Sequence, residues 1–149
     1  MSGIIVGVDG SDHSRVALSW AMREAAQHLV PLTVMTVLPA PVLPATQLYW
    51  AGPAVPDNSG DPELTRREVQ QFADKVATET GAPVPEVTVS VVSGDPAEEL
   101  VRASSDADLL VVGSRGTGAF AALLLGSVTS KATHHAACPV VVVPRDPRG

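Results

Sequence analysis

Leu109-Leu110-Val111-Val112-Gly113-Ser114-Arg115-Gly116 is the stretch that decides the fold. Four aliphatic residues in a row, with no polar alternation, read as a strand buried on both faces. Glycines three apart directly after it read as a turn at the carboxyl end of that strand. A strand of this kind belongs in a parallel sheet covered by helices on both sides.

Working outward, the same pattern recurs. Ile4 to Val8 is short, β-branched and closed by Asp9-Gly10-Ser11. Leu32 to Leu38 is stopped by Pro39, Val87 to Val92 is a third strand, and Pro139 to Val143 is a fifth, ended by Pro144. Helix-like runs separate them. Leu18, Met22, Ala25 and Leu29 fall at helical spacing, with Ser11, Asp12 or Ser14 available as the cap. Asp61-Pro62-Glu63 reads as a helix start with proline in the first turn, Val69, Phe72 and Val76 form its apolar stripe, and Gly81 ends it. Pro96 opens a short helix with Leu100, Val101 and Ser104 on one side. A last helix is expected from Gly126-Ser127 to about Ala137. The order β-α-β-loop-α-β-α-β-α-β predicts a three-layer α/β/α sandwich around a five-stranded, mostly parallel open sheet.

Bulk composition agrees with this picture. The 149 residues predict one domain, 1–149, with no second domain or internal repeat. Hydrophobic residues make up 45% and aromatics only 3%, so the core must rest on Val, Leu, Ile and Ala. The net charge of −6 argues against a nucleic-acid footprint, which needs clustered Lys and Arg. Cys138 is the single cysteine, which excludes an intrachain disulfide framework. Met1 to Val6 has no basic leader, and no stretch approaches the roughly 20 apolar residues of a membrane helix, so a soluble cytoplasmic protein is expected. The segment 40–60, with Pro39, Pro41, Pro44, Pro53 and Pro56 in or beside it, is expected to be a flexible loop, functional or mobile. It holds Tyr49 and Trp50, which either fold over a ligand or anchor the loop.

Ligands of open parallel sheets bind beyond the carboxyl ends of the strands. On that edge the sequence places Asp9, Val37 with Leu38, Gly94-Asp95 and Gly113-Ser114-Arg115-Gly116. Nine residues separate Gly116 from Gly126 and Ser127, at a helix start. Glycine lets backbone approach a phosphate closely, and a helix N-terminus offers unpaired N–H groups and a favourable dipole. Ser127 and Thr129 add hydroxyls. These residues describe an anion pocket built mostly of backbone; the alternative is that the glycines are only turn formers. The pattern is neither the dinucleotide fingerprint, which opens a helix after the first strand, nor a Walker A loop, since no Gly-Lys-Ser/Thr occurs.

The spacing G-x2-G-x9-G-S, as Gly113, Gly116, Gly126 and Ser127, resembles the ATP-binding signature of the universal stress protein family. Ile4-Ile5-Val6-Gly7-Val8-Asp9-Gly10-Ser11 resembles the family's first strand, Leu124-Leu125-Gly126-Ser127-Val128-Thr129 its cradle, and Cys138-Pro139-Val140-Val141-Val142-Val143 its last strand. The likeness covers essentially the whole chain, with the middle loop least matched. It implies a fold of the adenine nucleotide alpha hydrolase-like kind. It also implies that Gly113, Gly116, Gly126, Ser127, Val128 and Thr129 line a triphosphate, with Ser114 and Arg115 in the same loop. Asp9 would contact ribose or base with Gly10 and Ser11 beside it, and Val37 would offer backbone bonds to adenine. Mg or Mn would ride on the phosphates of ATP, with no protein cage for the metal. Members that do not bind nucleotide lack this glycine pattern. The resemblance further implies a homodimer that joins the last strands, Val140, Val141, Val142 and Val143, antiparallel. One departure is Ala132, where a bulkier aliphatic residue is common.

Each of these residues also has a plainer reading. Asp9 can cap the following helix, and Arg115 can be a solvated loop side chain. His134-His135 lacks a third ligand at suitable spacing and reads as a surface pair. Cys138 reads as a small apolar residue at a strand start, and Asp106 and Asp108 as turn residues. No G-x-S-x-G elbow supports a hydrolase, and no general base or Walker B partner is evident, so no catalytic residue is expected. The function expected is a nucleotide-dependent regulatory module with an unknown regulatory partner. The alternatives are a slow ATPase and a nucleotide-free interaction protein.

Overall fold

The computed structural model describes residues 3–38, 61–114 and 127–144. The expected loop 40–60 with Tyr49 and Trp50, the segment Arg115 to Gly126, and the tail from Arg145 lie outside the described residues.

The elements are β1 (Ile4–Gly7), α1 (Asp12–His28), β2 (Leu32–Leu38), α2 (Pro62–Thr80), β3 (Val87–Ser93), α3 (Pro96–Ser104), β4 (Leu109–Gly113), α4 (Ser127–His135) and β5 (Val140–Val143). Among the described residues the five strands form one sheet in the order β3-β2-β1-β4-β5, and every pairing is parallel. Successive strand side chains point to opposite faces, and the core divides accordingly. Ile4, Val6, Leu32, Val34 and Val111 face α1 and α2, packing with Leu18, Met22, Ala73 and Val76. Ile5, Met35, Leu110 and Val112 face α3 and α4, packing with Leu100 and Ala132. The result is the expected α/β/α sandwich. Ala132 is fully buried in that second cluster, so the small side chain is a core residue of α4.

The helix starts follow from capping chemistry. Ser11 is the N-cap of α1, accepting from Ser14 N–H at 3.2 Å. Asp61 caps α2 and Asp95 caps α3, each followed by proline in the first turn, where a missing N–H costs nothing.

Three expectations need correction. Leu29 was expected on the apolar stripe of α1, but α1 ends at His28 and Leu29 takes the left-handed conformation after it (φ 56°), 76% exposed. Its N–H turns back to Ala25 and Ala26 carbonyls, and Pro31 follows two residues on. The helical period therefore ran one residue past the helix, into the position where the chain reverses. Val101, expected beside Leu100 and Ser104, is only half-buried, while those two are buried. The last helix also stops at His135, two residues short of Ala137; the Ala137 N–H instead donates to the Ser104 hydroxyl of α3 at 2.8 Å.

Candidate functional site

The strand order creates one crevice. From β1 the chain builds outward to β2 and β3, then returns to place β4 on the other side of β1. Where that reversal occurs, the turns leaving adjacent strands diverge to opposite faces and open a gap beyond their carboxyl ends. The gap lies between the turn after β1 (Asp9-Gly10-Ser11) and the turn after β4 (Gly113-Ser114).

The β1 turn is fixed by its own side chains. The Ser11 N–H donates to Asp9 Oδ1 at 2.9 Å, and Gly10 between them sits at φ 82°, where L side chains are strained. A Cβ at Gly10 would meet nothing within 4 Å, so this turn borders open space. The plainer reading of Asp9 is thus partly realised: it holds the turn, and Ser11 does the capping.

The β4 turn is fixed from two sides. A Cβ on Gly113 would lie 3.0 Å from the His13 carbonyl oxygen and 3.2 Å from His13 Cβ. Gly113 therefore lets the first turn of α1 close against the end of β4. On the other side, Thr129, 4% exposed, donates its hydroxyl to the Gly113 carbonyl at 2.6 Å. That bond draws the first turn of α4 to the end of β4. The first N–H groups of α4 have no acceptor within the helix itself, and the helix dipole adds partial positive charge there. Val128, half-buried, packs into the cluster beneath. Ser114 donates its N–H to the Val143 carbonyl at 3.0 Å, which extends the β4–β5 ladder to the rim of the gap.

Val37 sits near the carboxyl end of β2, in register with Val92 of β3. β2 outruns β1: Val8 N–H donates to the Met35 carbonyl at 2.9 Å, and Thr36 Oγ1 donates to the Val8 carbonyl at 3.1 Å. This brings the end of β2 alongside the Asp9 turn. Of the residues expected at the site, Asp9, Gly10, Ser11, Val37, Gly113, Ser114, Val128 and Thr129 therefore fall on one edge, and Ser127 opens α4. Arg115, Gly116 and Gly126 lie outside the described residues.

Two residues of the crevice escaped the sequence reading. Thr36 is the tie between β1 and β2, and nothing in a β-branched strand run distinguishes it. His13 lies in the first turn of α1 against Gly113; its Nδ1 is shielded from solvent and has no hydrogen-bond partner among the described residues. The signal was available: a polar ring four residues after Asp9, at the start of the helix that leaves the first strand. Among the described residues no group of three or more His, Cys, Asp or Glu side chains is arranged to hold a metal, and no helix is long and apolar enough to cross a membrane.

Comparison with known proteins follows the same lines. Residues 1–144 match the model of the universal stress protein family. The chain is 39% identical over 147 residues to a universal stress protein of Mycolicibacterium smegmatis, covering 97% of this chain and 48% of that one. It thus spans about half the length of the curated relatives it matches. Among solved structures it is similar to universal stress protein UspA from Lactobacillus plantarum, with a TM-score of 0.72, 25% identity, and 95% and 97% of the two chains covered. It is also similar to a universal stress protein in complex with cAMP, with a TM-score of 0.65, 28% identity and 97% of each chain covered. A parallel sheet with its crevice between β1 and β4 and a family match over nearly all its residues lead to one conclusion: the chain belongs to the universal stress protein family.

Proposed function

We propose that this protein binds an adenine nucleotide, ATP first among them, in the crevice between β1 and β4, and that nucleotide occupancy regulates its association with other proteins. The observation that carries this reading is the Thr129–Gly113 hydrogen bond, which holds the start of α4 beside the end of β4. Backbone N–H groups at a helix start suit a phosphate chain without cationic side chains, as an acidic protein of net charge −6 requires. In this reading Gly113, Ser114, Arg115, Gly116, Gly126, Ser127, Val128 and Thr129 hold the phosphates. Asp9, Gly10 and Ser11 hold the nucleoside, and the Val37 backbone meets the base. A Mg or Mn ion would accompany ATP and neutralise part of its phosphate charge. The similar structure solved with cAMP supports an adenine ligand. No residue is assigned a catalytic role, so binding is the proposed activity and turnover is not.

Titration calorimetry with ATP and Mg tests the reading. Heat of binding is expected for the wild type. It is expected to vanish in Gly116→Val, whose branched side chain would fill phosphate space, while the thermal melt stays unchanged. No heat from the wild type would leave the glycines as turn formers.

The same reading includes a homodimer through β5. Leu110 N–H donates to the Pro139 carbonyl and Ser114 N–H to the Val143 carbonyl. In a parallel ladder this turns residues 139, 141 and 143 toward β4 and leaves Val140 and Val142 with outward N–H and C=O groups. Four valines whose outer ladder face pairs with no strand among the described residues suit an antiparallel partner strand from a second copy.

A further inference from the structure

β3 is the other end of the sheet, and its edge is built differently. Leu32 N–H donates to the Glu86 carbonyl at 2.8 Å and Gly94 N–H to the Leu38 carbonyl at 2.9 Å. Residues 86, 88, 90, 92 and 94 therefore face β2, and Val87, Val89, Val91 and Ser93 turn their backbone groups outward. Val89 is one of the two inner residues of these four. Its carbonyl is already taken: Arg66 reaches from α2 and donates Nη1 to it at 2.9 Å. The guanidinium thus lies across the line that an added strand would occupy. Charged side chains on edges are a known defence against strand addition, and this one also occupies an inner acceptor of the edge.

We propose that Arg66 closes the β3 edge to strand addition and so confines self-association through the sheet to β5. This rests on the β5 pairing proposed above. The consequence is a matter of symmetry. With both edges open, β5 of one copy can pair with β3 of the next, and such a head-to-tail contact grows without closing. With β3 closed, only β5-to-β5 pairing remains, and it is complete at two copies.

Light scattering behind size-exclusion chromatography, on the full chain from low micromolar to near-millimolar concentration, tests this. The wild type is expected to run as a dimer throughout. Arg66→Ala and Arg66→Met both remove the donors from an exposed position on α2; Met keeps the apolar stem. Both are expected to exceed the dimer mass increasingly with concentration while circular dichroism and the melt report a folded protein. Val142→Pro removes an outward N–H without touching the β4 ladder, and it is expected to run as a monomer. Arg66→Met combined with Val142→Pro should not exceed a dimer. If either Arg66 variant holds the wild-type mass over the whole range, the role of Arg66 is overturned. A dimeric Val142→Pro would instead overturn the β5 reading, and the two failures are told apart by which variant departs.

Discussion

Replacing Thr129 by valine isolates the bond that joins α4 to the end of β4. Valine keeps the shape and the branch at Cβ, so packing is preserved while the hydroxyl is lost. The site is 4% exposed, and the Thr129 hydroxyl donates to the Gly113 carbonyl at 2.6 Å. Removing one partner of a buried hydrogen bond leaves the other short of its acceptor role, at a cost of about 1–3 kcal/mol. In a domain of this size each kcal/mol moves the melting midpoint by roughly 2–4 °C, so a fall of about 2–12 °C is expected. The same change frees the first turn of α4, and the nucleotide must then order it on binding. If half of the cost appears in binding, affinity for ATP with Mg falls by about twofold to twelvefold, at 1.4 kcal/mol per factor of ten. Thr129→Ser keeps the donor and should stay near the wild type in affinity. Circular dichroism melts and titration calorimetry on the three proteins read both effects. A valine variant equal to the wild type in both, or a serine variant as impaired as valine, would refute the reasoning.

Other outcomes follow from single positions. Leu29→Gly should stabilise the protein by about 1 kcal/mol in urea unfolding, because glycine adopts φ 56° without strain and the side chain lost is exposed; a destabilised variant would show that the leucine makes a contact that matters. Gly113→Ala should destabilise by about 1–3 kcal/mol, since its Cβ meets the His13 backbone at 3.0 Å and α1 must shift; an unchanged urea midpoint would contradict the close approach of α1 and β4. The Arg15 guanidinium, hydrogen-bonded to Glu79 between α1 and α2, holds the Glu79 carboxyl below its usual range. A carboxyl depressed in the folded state contributes stability above its unfolded value and loses it as pH falls through the folded one. The small stability gap between wild type and Glu79→Gln should therefore close in acid and shrink in salt, since both partners are exposed; a gap that persists in acid would contradict it.

How far the sequence spoke for the structure varied with the physics at each position. Apolar, β-branched runs announced all five strands, unbroken in β1, β4 and β5 and interrupted by Thr or Ser in β2 and β3. Asp61-Pro62 and Pro96 announced two helix starts by local chemistry, while the capping role of Asp95 came only with the structure. The end of α1 was hidden because leucine occupies the reversal that glycine usually marks; Pro31 was the only cue. The site residues were legible by kind and edge but not by contact. Gly113 read as room for a phosphate, whereas the structure also uses it as room for His13 of α1. Thr129 read as a hydroxyl for the ligand, whereas its proton goes to Gly113. Such pairings join residues far apart in the chain, and no local period encodes them. Arg66 was silent for the same reason: an arginine on an exposed helix face looks solvated until the partner strand is in view.

The account turns on an adenine nucleotide in the β1–β4 crevice. Mass spectrometry of small molecules released on denaturing the freshly purified protein tests that most directly. An adenine nucleotide near one per chain from the wild type, and none from Gly116→Val, is the predicted result. A wild-type protein that releases no nucleotide, and gives no heat when ATP and Mg are added back, would contradict it.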